Sequence, residues 1–370
     1  MADQDPLYLR YRPKKLADVV GQDTAVRILT NSFKTKKMHH AYVMAGKHGC
    51  GKTTCARIVA AMLNCEKGPS IEPCGVCKNC KEIFAGRSLD VKEIDGGSNR
   101  SIDDVRELKK EVYFAPVSCR KRLVIIDEAH RLTGAAAEAL LKVLEEPPPH
   151  VIFILCTTEP EALKPTIHSR CIGLTYKPIA WMVLFGLLKD VASKEGIKAD
   201  EAALKFIAKS GRGSARDSLQ NLQMSADFAG DETLTIEFAE QALGGIDDGL
   251  YFKLIESIGK SDVPSAWKLV NKLMLKGRNS ESIVKGLETY LCNLMMISLC
   301  GSAAQDMGFT EAEIKRYAFQ ANSVKPSLAN EMMKILIDVQ RAINVNLDAE
   351  NSLCRFVVAS IIANKRLAGK

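Results

Sequence analysis

The 370-residue chain has no long apolar run, no run of basic residues and no tract of biased composition, and each absence removes a class of protein. The opening MADQDP is acidic and lacks an apolar continuation, which argues against a secretory leader. The most lipophilic later stretch, Tyr290 to Ala304, is too short to cross a bilayer and is interrupted by Asn293. A cytosolic (cytoplasmic) protein with no membrane partner is expected. No internal repeat is present. The net charge of +7 is spread along the chain, with 35 basic against 31 acidic residues over 1–242 and 16 against 13 over 243–370. Any contact with nucleic acid must therefore gather charges from separate segments by folding.

Twelve cysteines are too dilute in 370 residues for a disulfide scaffold, and a reducing compartment follows. Eight of them, including Cys119, Cys156, Cys292 and Cys354, are scattered through apolar runs and read as small hydrophobes. The other four crowd into CEKGPSIEPCGVCKNC, residues 65–80. The spacing Cys65-x8-Cys74-x2-Cys77-x2-Cys80 suits a closed tetrahedral zinc site. Redox pairing through the CxxC units is the rival, although no thioredoxin-like strand and helix flank them. Gly68, Pro69, Pro73 and Gly75 break any helix here, so the module at about 64–82 needs a metal to fold.

Between 41 and 177 short apolar runs alternate with amphipathic segments: AYVMAG, DVKEID, RLVIIDE, VIFILCTT and CIGLTY, with helices from Lys52, near Ser101 and from Thr133. Continuous Val/Ile/Leu runs separated by helices predict a parallel sheet covered on both faces. Ser101 with Asp104 resembles a capping box, Thr133 can cap the next helix, and EEPPP stops that helix at 145–149. Past YKPIA the strand runs cease, and 181–195, 200–209 and 214–229 have helical apolar spacing, closed by GGIDDG at 244–249. The remainder reads as a helical bundle. The expected fold class is α/β followed by all-α, with domains 1–177, 178–243 and 244–370.

GKHGCGKT at 46–53 satisfies G-x-x-x-x-G-K-[ST] between an apolar strand and a helix, the context the phosphate loop requires. Gly46, Gly49 and Gly51 let backbone N–H groups turn inward, Lys52 reaches terminal phosphates and Thr53 can hold magnesium. The intervening Lys47, His48 and Cys50, with Thr54 behind them, complete the stretch, and the loop side chains are expected to point outward. LVIIDEAH at 123–130 supplies an acidic pair: Asp127 for the magnesium and Glu128 to deprotonate a water, which implies hydrolysis.

LYLRYRPKKLADVVGQ at 7–22, HHAYVMAGKHGCGKT, the cysteine insert, EIDGGSN, LVIIDEAHRLT, ALLKVLEEPPPHVIFILCTTEP, TIHSRC and GSARDSL occur in order over some 220 residues. Together they resemble the gamma/tau family of bacterial DNA polymerase III, the ATPase of the sliding-clamp loader. The resemblance implies an AAA+ P-loop α/β domain with a zinc insert, a small helical lid and a C-terminal helical collar. It implies ATP, magnesium and structural zinc as cofactors. The implied partners are other loader subunits in a hetero-pentameric ring, a sliding clamp and primer-template DNA. Residue by residue it implies Thr158 as the polar sensor, Arg216 as the lid arginine and Arg170 as an arginine finger for a neighbouring subunit. It places Tyr8, Tyr11, Arg12, Pro13 and Val20 near adenine and ribose, and Arg100 and Arg106 near template phosphates. Lys47-His48 departs from the commoner Pro-Arg or Thr-Arg, and Leu16 from a usual Phe. The alternatives are a non-hydrolysing structural loader subunit and an AAA+ branch-migration helicase.

Overall fold

The apolar runs become strands because both faces of each are covered. The computed structural model describes residues 5–98, 102–243, 248–275, 280–307, 309, 311–345 and 348–368. Its internal contacts divide the chain into residues 1–239 and 240–370. In the first unit the described strands are β1 (Ala41–Ala45), β2 (Val91–Asp95), β3 (Arg122–Asp127), β4 (Val151–Thr157) and β5 (Ile172–Thr175), all parallel, in the order β2-β3-β4-β1-β5. Alternate side chains serve two cores. Tyr42, Met44, Leu123, Ile125, Ile154 and Cys156 pack on one face, and Val43, Val124, Ile126, Phe153 and Leu155 on the other. The period-two rule thus yields continuous hydrophobic runs in the central strands. Fully exposed positions occur in the edge strands β2 and β5, whereas β4 is buried throughout and β1 and β3 are partly exposed only at their ends.

The helices of this unit are α1 (Leu7–Arg10), α2 (Asp23–Lys34), α3 (Lys52–Asn64), α4 (Lys78–Phe84), α5 (Ile102–Val112), α6 (Gly134–Glu145), α7 (Pro165–His168), α8 (Trp181–Glu195), α9 (Glu201–Ser210) and α10 (Ala215–Ala229). α3 lies in the first core and α5 and α6 in the second. Thr133 caps α6 by accepting the amide N–H of Ala136 at 3.2 Å. The expected cap formed by Ser101 and Asp104 lies outside the residues whose side chains are described, and Gly244 to Asp247 of the expected closing turn lie outside the described residues. Gly196, at φ 71°, ends α8 in the left-handed conformation that glycine adopts without steric cost. Helix α11 (Ile236–Ala242) follows.

The second unit contains α12 (Asp248–Gly259), α13 (Val263–Leu275), α14 (Ser280–Cys300), α15 (Glu311–Ala321), α16 (Pro326–Asn344) and α17 (Ala349–Ala368). These helices share a core that includes Leu254, Leu287, Leu291, Met332 and Phe356. Ile283–Ala304 forms a 22-residue stretch whose length and composition would suffice to cross a membrane. This corrects the shorter limit drawn at Tyr290. Its Val284, Leu287, Leu291 and Leu294 nevertheless lie in the bundle core. Cys292 is also corrected: it is exposed, whereas Cys50, Cys55 and Cys156 are buried. Burial pushes the Cys55 thiol up to about 11, so it stays protonated as a core group.

Candidate functional site

Parallel strands bring their carboxyl ends to one edge, and β4 lies between β1 and β3. The phosphate loop after β1, the acidic pair at the end of β3 and Thr157-Thr158 at the end of β4 therefore meet there. The loop is held from beneath, where the Gly46 amide donates to Thr157 O at 3.0 Å. A Cβ at Gly46 would lie 2.2 Å from the Tyr176 carbonyl oxygen, so only glycine fits. Gly51, at φ 104°, caps α3 without any side-chain acceptor. The first-turn N–H groups of α3 are thus left for an anion.

The Lys52 ammonium is buried, donating to Gly46 O at 2.6 Å and Lys47 O at 2.9 Å. Thr53 Oγ1 donates to Asp127 Oδ2 at 2.9 Å. Glu128 follows in the left-handed region, at φ 48° and ψ 45°, an unusual conformation for a residue with a side chain. Thr158 Oγ1 donates to its Oε2 at 3.1 Å. His48 Nδ1 stands 3.4 Å from Glu128 Oε1, and the Cys50 thiol turns back to Lys47 O at 2.8 Å. The buried Cys50 side chain corrects the expectation that the loop's side chains point outward, whereas the His48 side chain is 72% exposed.

A cleft of about 780 Å³ opens over this edge. Its lining includes His48 to Thr54, Asp127 and Glu128 from the sheet domain, and Arg216 from α10. Tyr8, Tyr11, Arg12, Pro13 and Val20 line it from the N-terminal side. Arg12 Nε donates to Thr54 Oγ1 at 3.0 Å, and burial, aided by Arg57, lowers its guanidinium to about 10, which leaves it charged. The Arg216 guanidinium lies 5.0 Å over the Tyr8 ring, a cation–π contact between the N-terminal segment and α10. Asp18, Asp190, Lys194 and Leu219 also line the cleft and were not singled out in the sequence. The packing of Ser214 on the loop was equally unforeseen. Ala215 N donates to Gly49 O at 3.1 Å, and a Cβ at Gly49 would meet Ser214 Oγ at 1.9 Å.

Arg170 is not among the cleft-lining residues. It pairs with Glu145 and donates to Thr166 O at 2.8 Å, on the protein surface. Arg106, on α5, is exposed, and Arg100 lies outside the described residues.

Cys65, Cys74, Cys77 and Cys80 converge, with all four sulfurs within 4.8 Å of one another. Four thiolates around zinc at about 2.3 Å form a tetrahedron with edges near 3.8 Å, so this donor set fits the ion closely. Backbone N–H groups already point at the sulfurs: Cys77 N at Cys74 Sγ, 3.3 Å, and Cys80 N at Cys77 Sγ, 3.4 Å. The amides of Cys77 and Val76 bring the Cys74 thiol down to about 6, while burial raises Cys80. The module is bolted to the sheet domain by Asn64, whose Oδ1 accepts the amides of Arg120 and Lys121 at 3.1 and 2.9 Å. Beside it the buried carboxylate of Asp90 accepts from the amides of Val117, Ser118 and Cys119 at 2.8, 2.7 and 2.8 Å.

Three family models match in sequence: "DNA polymerase III, delta subunit" over 21–180, "DNA polymerase III clamp loader subunit, ATPase lid domain" over 185–222, and "DNA polymerase III subunits gamma and tau domain III" over 234–368. The chain is 37% identical over 290 residues to DNA polymerase III subunit tau of Bacillus subtilis, covering 78% of this chain and 51% of that one. It is 36% identical over 310 residues to subunit tau of Escherichia coli, covering 84% and 48%. With DNA polymerase III subunit gamma of Buchnera aphidicola it shares 36% identity over 285 residues, covering 77% and 79%. The chain spans about half the length of the tau relatives it matches. The Thermotoga maritima RuvB Holliday junction branch migration motor superposes with a TM-score of 0.50 at 20% identity, over 67% of this chain and 79% of that one, which shows a shared fold. With these matches in sequence and in domain order, the chain belongs to the gamma/tau family of DNA polymerase III subunits.

Proposed function

We propose that this chain is an ATP-hydrolysing subunit of a sliding-clamp loader, built as a nucleotide-binding domain (1–177), a lid (178–243) and a collar (244–370). The observation that carries the reading is the convergence of Lys52, Thr53, Asp127 and Glu128 on one cleft, with Thr53 and Asp127 joined at 2.9 Å. Lys52 and the loop amides bind the phosphates of ATP. The hydroxyl of Thr53 and the carboxylate of Asp127 are hard oxygen donors suited to magnesium. Such an ion neutralises charge on the phosphate oxygens. Glu128 takes the proton of the attacking water. Tyr8, Tyr11, Arg12, Pro13 and Val20 surround the base and ribose.

Thr158 and Arg216 report the state of the nucleotide: one holds Glu128 and the other lies on the lid over the cleft. Arg170 reaches a neighbour's nucleotide, and its place on the surface outside its own cleft supports that role. The partners are other loader subunits in a hetero-pentameric ring, a sliding clamp and primer-template DNA, with Arg100 and Arg106 as phosphate contacts. Exposed Leu299, Phe319 and Val345 on the second unit support its role in assembly. Zinc held by Cys65, Cys74, Cys77 and Cys80 is structural, and the protein works in the cytoplasm. The likeness to the branch-migration motor is one of fold and gives the helicase alternative no further support. Clamp loading with purified partners, comparing the parent with Lys52→Ala, tests the proposal: loading by the parent alone supports it, and equal loading by both contradicts it.

A further inference from the structure

The side chain of His130, next but one after Glu128, is buried to within 9% of full cover and sits in a polar rather than an apolar setting. Its Nδ1 is 3.1 Å from Thr157 Oγ1 and 3.4 Å from Glu128 Oε2, and its Nε2 is 3.7 Å from Glu159 Oε1. Thr157 Oγ1 itself accepts the Glu159 amide at 3.0 Å. The imidazole therefore spans the end of β4 and the left-handed turn that carries Glu128.

The Thr158 hydroxyl donates to Oε2 of the Glu128 carboxylate, and His130 Nδ1, hydrogen-bonded to Thr157 Oγ1, stands 3.4 Å from the same oxygen. Oε1 faces the phosphate loop, where its neighbour His48, at 3.4 Å, is 72% exposed. A carboxylate anchored through one oxygen has the direction of the other fixed. Here that anchoring matters more than usual, because the backbone at Glu128 lies outside the common conformational basins and does not by itself direct the side chain.

We propose that His130 is a positioning residue for hydrolysis: its Nδ1 carries hydrogen, shared between Thr157 Oγ1 and Glu128 Oε2, and so aims Glu128 Oε1 at the cleft. This deepens the reading of Glu128 as the water-activating base and rests on it. No proton is transferred by His130 in this role. The relay also ties Glu128 to Thr157, the residue whose carbonyl holds the Gly46 amide, so the base and the phosphate loop are referred to the same strand end.

Two measurements test it. Imidazole nitrogen-15 spectra of the full chain read the tautomer directly: hydrogen on Nδ1 of His130 is expected, and a neutral ring protonated on Nε2 alone overturns the proposal. ATP turnover is then measured for the chain assembled with its partner subunits, clamp and primed template. His130→Ala should lose roughly tenfold to a hundredfold in kcat, the scale of a misdirected catalytic group, with KM for ATP and thermal midpoint unchanged. His130→Asn, whose amide N–H can replace the Nδ1 donor, should recover most of the loss. An unchanged kcat in His130→Ala, or a parallel fall in ATP affinity and thermal midpoint, overturns the positioning role while leaving the ATPase reading intact. A parent assembly that does not turn over ATP overturns both.

Discussion

Thr53 Oγ1 and Asp127 Oδ2 are 2.9 Å apart although 74 positions separate them in the chain and a third strand, β4, lies between the strands that deliver them. The contact fixes the first turn of α3 against the end of β3 and defines the floor of the cleft. Lys52→Ala should abolish measurable ATP binding, and Asp127→Asn should weaken binding only when magnesium is supplied. Calorimetric titration of ATP with and without magnesium separates the two, and equal loss for Asp127→Asn in both conditions would refute its role at the metal.

Glu128→Gln keeps the size of the side chain and its Oε-type acceptor for Thr158 while removing the base. ATP affinity should stay within about twofold while hydrolysis falls roughly a hundredfold or more, the usual contribution of a positioned general base. Single-turnover cleavage of bound ATP reads this directly, and wild-type cleavage would show that another group takes the proton.

The four-cysteine module should hold one zinc ion per chain. Cys74→Ser or a strong chelator should remove it and expose residues 65–80 to proteolysis, because the segment has little apolar surface to bury without the metal. ATP affinity should be nearly retained, since none of the four cysteines lines the cleft. Elemental analysis together with limited proteolysis checks this; a chain purified without zinc and equally resistant contradicts it.

Asp90 should contribute to the acid stability of the first unit. Burial opposes its charge, but the amides of Ser118, Val117 and Cys119 outweigh burial and hold its carboxyl below the ordinary 3.8. Because the folded value lies below the unfolded one, its contribution is fully present above about pH 4 and disappears as pH falls through the folded value. Asp90→Ala leaves three amides without their acceptor and should cost roughly 3 kcal/mol at pH 7. The gap between parent and variant should narrow as pH falls below the ordinary aspartate value, as denaturant unfolding across pH will reveal.

The sequence disclosed most of the sheet, because buried parallel strands are continuous apolar runs, and it disclosed the phosphate loop, the acidic pair and the cysteine cluster, whose residues are adjacent or closely spaced. It did not disclose contacts made between distant turns. Nothing local marks His48 as a neighbour of Glu128, Ser214 as the residue that packs against Gly49, or Asp90 as an acceptor for the segment 117–119. His130 stood inside the quoted DEAH stretch, yet its chemistry comes from Thr157 and Glu159, which only the pairing of β4 beside β3 brings within reach. The apolar length of α14 was underestimated because Asn293 and Glu288 interrupt the run on the side of the helix away from Leu287, Leu291 and Leu294.

The central claim is that ATP lies where neighbouring subunits act on it, so that its cleavage is sensed by the assembly. The most direct measurement is the steady-state ATP turnover of the isolated chain against that of the chain assembled with partner subunits, clamp and primed template, each with and without Arg170→Ala. The account predicts slow turnover by the isolated chain, strong stimulation on assembly, and loss of that stimulation, on the order of a thousandfold, with Arg170→Ala. Full-speed turnover by the isolated chain, unaffected by Arg170→Ala or by any companion, would contradict it.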